Sequence, residues 1–484
     1  MGEAGRTGRG IAPIATLGRV RSARGRLRSG LRRPVVAAPL FVVAITTLLP
    51  FAPGEDSGEG IAFAVASRVG RIVPGSLWPG FDPASAPLAI FDGERTYLFR
   101  HPNPPRGFES VPGRPETFAT AGQHELMRAN TSIEIGGVKT ATILLSAGDT
   151  RSAGELSSLA VHEMFHVFER TRHPKWTANE ADLFTYPIDD ASQLQLSRLE
   201  AEALRRALSA KRDRDAGCWA AAAMELRRRR FAGLGDRGAA YERGTELNEG
   251  LARLVESRAL GGTSGATILP KEEFSAGEIR SRGYAVGHAL AALLDRFAPN
   301  WESRFESGVD LSLDLLLTDV LETRPTGRCR FSRAELDESL ARARRSIELA
   351  QLTREAVRRD FLARAGWRVV IVAGSRPLSV EFFDPLNVEN VGPGEILHTR
   401  WIKLVSEAGA IEVLDRRTLT EAAGKHPLFQ GVRRITVTGI PDEPQVGSKG
   451  GSLSIRAKGI TADFRGARIV REGQALTVVL EDAR

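Results

Sequence analysis

The stretch LAVHEMFHVFERTRHP, residues 159–174, restricts the fold of this chain more than any other. His162 and His166 lie four residues apart in it, and Glu163 follows the first of them. On a helix, side chains at positions i and i+4 lie one above the other on the same face. The neighbouring positions up to Phe168 are largely apolar. The stretch therefore predicts a buried helix with one polar strip that carries two imidazoles and a carboxylate.

This polar strip indicates a metal site. Two imidazoles one turn apart suit two corners of a tetrahedral zinc ion. A glutamate beside the first imidazole can take a proton from a water that the metal polarises. Burying these groups in an apolar core is costly unless a metal or hydrogen bonds satisfy them. The alternative is a pair of core histidines with ordinary partners, but a chain with eight histidines in 484 residues seldom matches the motif by chance.

A third protein ligand would complete such a site. A third histidine six residues after the second is excluded, because Arg172 occupies that position and His173 misses it by one residue. A glutamate of a later segment is the other route. Glu180 follows His166 closely in sequence, whereas Glu249 lies on a segment much further along the chain.

The segment that carries Glu249 is predicted to be helical over about residues 239–260. One stripe of it is acidic and consists of Glu242, Glu246, Glu249 and Glu256. Such a stripe is typical of a solvated helix face and equally of a face that lines a cleft. The spacing alone therefore leaves both interpretations open. The charge run ELRRRR at residues 225–230 predicts a solvated helix face.

Three motifs in this order resemble those of the gluzincin metallopeptidases, the group that contains thermolysin and the zinc aminopeptidases. They are His162-Glu-x-x-His166, Asn248-Glu249-Gly250-x-Ala252 and Tyr284-x-x-Gly287. The resemblance implies that His162, His166 and Glu249 bind one zinc ion and that Glu163 is the general base. It also implies that Tyr284 donates a hydrogen bond to the oxyanion of the attacked carbonyl. An ordinary tyrosine at the start of a helix is the alternative for Tyr284.

Two further details follow from the resemblance. Asn248 occupies the position where some relatives have a partner of a ligand histidine. Thermolysin-like relatives have their third ligand closer in sequence than Glu249, so an inserted helical segment over residues 191–232 would explain the long spacing. The Gly-x-Met-Glu-Asn element, with which aminopeptidases hold a free amine, does not occur in the sequence. We therefore expect an endopeptidase rather than an aminopeptidase.

The resemblance implies an α+β, zincin-like domain over residues 86–365, with a β-sheet N-terminal part and a mostly helical C-terminal part. The expected function is zinc-dependent hydrolysis of peptide bonds in a peptide or protein substrate. One alternative is a catalytically inactive, peptidase-like binding or scaffold protein at the membrane. Another is zinc-dependent hydrolysis of a non-peptide substrate.

The remaining elements follow from local pattern. Short apolar runs between turn residues predict strands from Pro87 to Ser146. From Trp367 the runs become short, alternating and β-branched, which predicts a separate small all-β domain over residues 366–484, whose partner is unknown. Residues 55–85 are rich in Gly, Pro and Ser and are expected to form a linker. Helices are predicted over about residues 152–172, 191–232, 239–260, 283–297 and 332–365.

The N-terminal segment carries the entire net charge of +8. Residues 1–33 contain nine arginines and one acid, and subtracting these from the totals of 67 and 59 leaves 58 basic and 58 acidic residues. The charge therefore indicates a basic tail and no nucleic-acid partner. Residues 34–54 are uncharged and predict a signal peptide or a transmembrane anchor. The small-x-small sites at residues 62–66 lie far beyond the apolar segment for signal-peptide cleavage, which favours an anchor. The folded part would then lie outside the cytoplasm. Cleavage would instead give an exported, periplasmic or extracellular protein.

The two cysteines, Cys218 and Cys329, exclude a disulfide-rich scaffold and a Cys-x-x-Cys zinc ribbon. In an oxidising compartment they could pair with each other. The sequence does not give the distance between them.

Overall fold

The computed structural model describes residues 58–145, 149–262, 268–271, 273–307, 311–324, 327–384 and 387–481. Within these residues the fold is mixed α+β, with a sheet first, helices in the middle and two sheets at the end, as the sequence predicts. The basic tail 1–33 and the apolar segment 34–54 lie outside the described residues. None of the helices in the described part is long and apolar enough to cross a bilayer.

The first sheet contains six strands. They are β1 Leu88–Phe91, β2 Arg95–Phe99, β3 Glu109–Ser110, β4 Thr117–Ala121, β5 Thr131–Ile135 and β6 Val138–Leu144. Their order is β3-β4-β2-β1-β6-β5, with β1 and β6 parallel and the other neighbours antiparallel. Among the described strands β5 pairs only with β6, so it forms one edge of the sheet.

The helical part follows this sheet. Its helices, together with α1 before the sheet, are α1 Gly58–Val69, α2 Ala153–Arg172, α3 Ala191–Ser209, α4 Asp213–Thr245, α5 Leu251–Ala259, α6 Ile279–Phe297, α7 Glu302–Glu306, α8 Leu313–Glu322 and α9 Arg333–Leu362. A 3₁₀ turn spans Glu180–Thr185, and a π-helical turn, Glu246–Gly250, joins α4 to α5. Helix α2 begins at the predicted capping box, in which Glu155 N donates to Ser152 Oγ at 3.2 Å and Ser152 N donates to the Glu155 carboxylate at 2.7 Å.

The helix boundaries differ from the predicted ones at two places. The segment predicted over residues 191–232 is broken between α3 and α4. The helix predicted from residue 239 is a continuation of α4, which bends at Gly235, where φ is 77°. Glycine tolerates this left-handed conformation because it has no Cβ. The predicted gap between residues 232 and 239 is thus a kink within α4 and not the end of a helix.

The prediction that residues 55–85 form a linker is wrong for the described part, residues 58–85. Helix α1 is buried along one face, and Trp78 and Phe81 pack edge-on against Phe165 of α2 with ring centroids 5.6 and 5.2 Å apart. The apolar residues of α1 repeat at helical spacing, which the Gly and Ser content of the region obscured. The small-x-small sites at residues 62–66 lie inside this buried helix, so cleavage there would cut through the core.

The C-terminal region is all β, as predicted. Its strands are β7 Trp367–Val372, β8 Ser379–Phe383, β9 Val388–Gly392, β10 Glu395–His398, β11 Trp401–Ser406, β12 Gly409–Leu414, β13 Thr418–Ala422, β14 Val432–Ile440, β15 Gln445–Lys449, β16 Ser452–Ala457, β17 Ile460–Arg465, β18 Ala467–Glu472 and β19 Ala475–Leu480. They form two sheets, in the orders β18-β19-β7-β14-β13-β10-β9 and β15-β16-β17-β12-β11-β8. Alternate side chains of both sheets, such as Ile371 and Val413, share one apolar core. The region is therefore a two-layer sandwich.

A disulfide ties the helical part together. Cys218 of α4 is bonded to Cys329, which precedes α9, with their Cα atoms 5.4 Å apart and a sequence separation of 111. Closing so long a loop restricts the unfolded chain, which typically stabilises a fold by about 2–4 kcal/mol. We expect the Cys218→Ser/Cys329→Ser double variant to lose about that much free energy of unfolding, measured with urea without reductant. Equal stability of the variant and the wild type would contradict this expectation.

The sandwich contains a buried histidine that should make it acid-sensitive. His398 is fully buried, and burial lowers its pKa to about 3. The unfolded chain titrates this group near 6.5, so between pH 6.5 and 3 the unfolded state binds more protons. The contribution of neutral His398 to the free energy of unfolding is fully present above pH 6.5 and is lost as pH falls towards 3, on the order of 5 kcal/mol in total. Urea unfolding between pH 7 and 4 should show this slope for the wild type and a flatter one for His398→Leu; parallel profiles would exclude the explanation.

Candidate metal centre

Helix α2 presents the two motif histidines to one point. His162 and His166 are buried, and their Nε2 atoms lie 3.1 Å apart. The opposite face of the helix, which includes Met164 and Phe165, packs into the main apolar core. The core contacts fix the rotation of the helix about its axis, so the imidazoles are aimed away from the core and towards the α4–α5 junction.

Glu249 joins these histidines. Its Oε2 atom lies 3.3 Å from His166 Nε2 and 3.7 Å from His162 Nε2. One ligand atom from each of the three residues lies within 4.8 Å of the other two, and all three residues are buried. Glu249 Oε2 is buried without a hydrogen-bond donor in the described part of the chain. A buried carboxylate oxygen without a donor is unfavourable, and a cation at this point would satisfy it.

The other oxygen of Glu249 is held by neighbouring side chains. Arg280 Nη2 donates to Glu249 Oε1 at 2.9 Å, and Asn248 Nδ2 donates to the same oxygen at 3.3 Å. These contacts orient the carboxylate so that its second oxygen faces the imidazoles. Asn248 therefore contacts the third member of the group, and its amide has no described bond to a histidine, unlike the arrangement that the resemblance implied.

Two glutamates that the sequence analysis did not assign to the site hold the imidazoles. His162 Nδ1 lies 3.1 Å from Glu256 Oε2, and His166 Nδ1 lies 2.9 Å from Glu169 Oε2. A carboxylate on Nδ1 fixes the tautomer that leaves Nε2 free to bind a metal. Spacing could have indicated both residues, since Glu256 is seven positions after Glu249 and Glu169 is three positions after His166.

The acidic stripe of the Glu249 helix is turned inward, so its interpretation as a solvated face is wrong. Glu242 and Glu246 are buried, and they pair with Arg230 and Arg227 of α4, which are also buried. Two arginines of the run ELRRRR thus lie in the core, whereas Arg228 and Arg229 are exposed. Carboxylates from several helices offset the charge of these guanidiniums. Because Glu246 belongs to the π-helical turn, its ion pair with Arg227 holds that turn in place.

The imidazoles and carboxylates of the site shift one another's pKa values. Burial opposes protonation of His166, but its hydrogen bond with Glu169 and the attraction of the Glu249 carboxylate outweigh burial and raise the pKa of His166 to about 10. Burial opposes ionisation of Glu249, but the two neighbouring imidazoles outweigh burial and hold the pKa of Glu249 well below its usual range. A positive charge is therefore stabilised at the point between the three residues. A divalent cation would supply that charge with both imidazoles neutral.

Glu163 is separate from the three proposed ligands but close to them. It lies on α2 beside His162, is mostly buried and lines the cleft described below. Burial raises the pKa of its carboxyl above the usual value. A raised pKa brings a carboxylate closer to the range in which it exchanges protons near neutral pH.

Tyr284 reaches the site because two glycines allow α6 to approach closely. A Cβ on Gly250 would lie 2.6 Å from the Cα of Gly287, and a Cβ on Gly287 would lie 2.7 Å from the Glu246 carbonyl oxygen. The tyrosine ring lies nearly parallel to the His162 ring, with centroids 6.4 Å apart. The glycines of the second and third sequence motifs thus have one structural reason, which is this helix crossing.

Glu180, the competing third ligand, lies elsewhere in the cleft. Its side chain is 41% exposed, it accepts a hydrogen bond from Tyr241 Oη at 3.4 Å, and it lies 3.7 Å from Arg280. It is not a member of the group formed by the two histidines and Glu249. The 3₁₀ turn that carries Glu180 is held from the other side by the sandwich, where His426 Nε2 lies 3.0 Å from the Ala181 carbonyl oxygen.

No family model, curated protein or solved structure matches this chain. The chemistry of the centre therefore rests on its own donor atoms. Two imidazole nitrogens and one carboxylate oxygen form a set that zinc accepts in catalytic sites, where a fourth position stays open. The described geometry fits a bound metal ion.

The group opens into a cleft of about 940 Å³. The edge strand β5 contributes Thr131 to its lining, and α6 contributes Tyr284 and Arg280. His162, Glu163, His166 and Glu249 also line the cleft and are buried. The cleft is thus accessible to an extended ligand, while the proposed ligand atoms remain shielded from bulk solvent.

Proposed function

We propose that this protein is a zinc-dependent metallopeptidase that hydrolyses peptide bonds in a peptide or protein substrate. The observation that carries the proposal is Glu249 Oε2, a buried oxygen without a described donor that faces the Nε2 atoms of His162 and His166. These three residues would hold one zinc ion. Zinc in such a site polarises a carbonyl and lowers the pKa of a water from 15.7 to roughly 7.

The proton transfers belong to Glu163. Its carboxylate takes a proton from the attacking water and returns it to the nitrogen of the leaving amine. Its raised pKa favours this exchange near neutral pH. The presence of this base also disfavours the alternative of an inactive scaffold, which would not require a buried carboxylate at the cleft floor.

Tyr284 provides a neutral donor to the attacked carbonyl. Burial and the nearby Glu249 carboxylate keep the pKa of the phenol above its usual range, so the hydroxyl stays protonated. A donor aimed at developing negative charge is worth several kcal/mol in such sites.

Removing this donor should slow the chemical step. We expect Tyr284→Phe to lower kcat by roughly 10²–10³-fold while zinc content and thermal stability remain unchanged. Tyr241→Phe is the matched control, since Tyr241 contacts Glu180 rather than the proposed zinc ligands and should leave kcat unchanged. An unaltered kcat in Tyr284→Phe would contradict the role of oxyanion donor.

The edge strand supports a peptide as substrate. An extended peptide can pair with the open side of β5 through main-chain hydrogen bonds, as in other cases of strand addition to a sheet edge. The mixed sheet, the helix α2 that packs on it and the helices that follow support a zincin-like domain as part of this proposal. The cleft volume of about 940 Å³ is large enough for several residues of a peptide, which supports endopeptidase activity.

An anchored or exported protein is the proposed location. The disulfide between Cys218 and Cys329 is typical of proteins outside the reducing cytoplasm. The uncharged segment 34–54 would direct the chain across or into a membrane. Because residues 62–66 are part of the buried helix α1, we favour retention of the segment as an anchor.

Metal dependence tests this function directly. The purified protein should contain one zinc ion per chain and cleave denatured casein. Chelation should abolish cleavage, and added Zn²⁺ should restore it. Full zinc content in the His162→Ala/His166→Ala double variant would overturn the metal site, and zinc binding without hydrolysis of any protein substrate would favour the scaffold alternative.

A further inference from the structure

Arg170 is a cation in the cleft that forms no ion pair within 4.0 Å among the described residues. It lies on α2, four residues after His166, and its side chain is exposed and lines the cleft. Its Nη1 donates to the carbonyl oxygen of Ser132 on β5 at 3.3 Å and also to Ser132 Oγ. Within the part of the chain that the structure describes, no carboxylate lies within ion-pair distance of it, and its Nε and Nη2 atoms have no acceptor.

The other two arginines of the cleft differ from it in this respect. Arg280 Nη2 donates to Glu249 at 2.9 Å, and Arg253 Nη1 donates to Glu256 at 2.7 Å. Their charges are therefore offset by carboxylates of the site. Arg170 forms no such ion pair: it interacts with the Glu163 carboxylate only at longer range, and the neutral Ser132 holds its guanidinium in place against the edge strand.

A guanidinium with one edge free is a good receptor for a carboxylate. Its donors form a rigid planar fork that matches the two carboxylate oxygens. Glu163 and Arg170 are seven residues apart, which is two helical turns on one face and about 10 Å along the axis. An extended peptide advances about 3.3–3.6 Å per residue. The free edge of Arg170 thus lies within about three substrate residues of the bond that Glu163 would act on.

We propose that Arg170 binds a carboxylate of the substrate, so that the cleft prefers peptides with negative charge within about three residues of the scissile bond. The position of the scissile bond rests on the proposed function; the carboxylate site itself rests on Arg170, Ser132 and the cleft. The carboxylate belongs either to an Asp or Glu side chain or to the C-terminus of the peptide, since both present the same two oxygens.

Binding to a catalytically disabled protein separates this inference from the proposed function. Four ten-residue peptides of one sequence carry Glu or Gln at the centre and a free or amidated C-terminus. Their affinities are measured by fluorescence with zinc-loaded Glu163→Gln, alone and combined with Arg170→Gln, Arg170→Lys or Arg172→Gln. Arg172 is the matched control, because it lies on the same helix but pairs with Glu306 and does not line the cleft.

We expect a peptide with the relevant carboxylate to bind roughly 10- to 100-fold more tightly than the neutral peptide, as expected for hydrogen bonds to charged groups. Tighter binding of the Glu amide would identify a side-chain carboxylate, and tighter binding of the Gln acid would identify the C-terminus. Arg170→Gln should abolish the preference, Arg170→Lys should keep part of it, and Arg172→Gln should keep all of it.

Equal affinities for all four peptides, or a preference that survives Arg170→Gln, would overturn the proposal. Zinc content and thermal unfolding of each variant establish that the fold is intact, and Arg170→Lys serves should Arg170→Gln be unstable. Hydrolysis by the protein with Glu163 intact is measured separately. Arg170-dependent binding without hydrolysis would contradict the peptidase and leave the carboxylate site standing.

Discussion

Glu163→Gln is expected to lower the rate of peptide hydrolysis by roughly 10²–10⁴-fold, the contribution of a positioned general base. Zinc content should remain one per chain, because Glu163 is not a member of the group of three proposed ligands. The substituted amide has nearly the same shape but cannot accept a proton. The measurement is kcat on a protein substrate, together with metal analysis of the same preparation.

The control for this substitution is another cleft glutamate. Glu180→Gln removes the same charge from the cleft but from a side chain that lies against Tyr241 and Arg280. Its kcat should stay within a few-fold of the wild-type value. A similar collapse in both variants would show that cleft charge, rather than proton transfer by Glu163, governs the rate. Loss of zinc from Glu163→Gln would instead make Glu163 a ligand.

The three proposed metal ligands were predicted from the sequence by two different arguments, local helical spacing and the resemblance of a distant motif. His162 and His166 are one turn apart on a helix with a single polar strip, so short-range spacing encodes them, and the structure brings both to Glu249 on a distant segment. That last contact is not visible in local pattern. It came from the resemblance of the Asn248-Glu249-Gly250 motif, and the structure supplies the reason for Gly250 in the close crossing with α6.

Apart from Glu169, which contacts His166 on its own helix, the residues that were missed or misassigned depend on contacts between distant segments. Glu256 and Arg227 lie on helix faces that look like ordinary charged surface in sequence, yet each is enclosed by a helix from elsewhere in the chain. Helical periodicity gives the direction of a side chain relative to its own helix and contains no information about what packs there. The same limit explains α1, whose Gly- and Ser-rich surroundings suggested a linker although its apolar face packs in the core.

Glu249→Ala should reduce zinc affinity by far more than the roughly 10–100-fold that loss of an orienting neighbour typically costs, because it removes a proposed ligand atom itself. Two imidazoles would remain, and hydrolysis should be abolished at ordinary zinc concentrations. Glu249→Gln removes the negative charge of the proposed ligand but fills the same space. Its amide oxygen can still accept a hydrogen bond from Arg280. We expect Gln to preserve the fold and to bind zinc weakly, measured by competition with a chromogenic chelator.

Glu180→Ala is the comparison that decides between the two third-ligand hypotheses. Its carboxylate is partly in solvent, whereas Glu249 Oε2 is buried and faces both Nε2 atoms. We therefore expect Glu180→Ala to retain one zinc ion per chain with unchanged affinity. Stoichiometric zinc in Glu249→Ala together with its loss in Glu180→Ala would make the site a compact one, whose third ligand follows shortly after the end of α2. In the wild type, the buried oxygen of Glu249 would then be balanced by a protonated His166, whose Nε2 lies 3.3 Å from it.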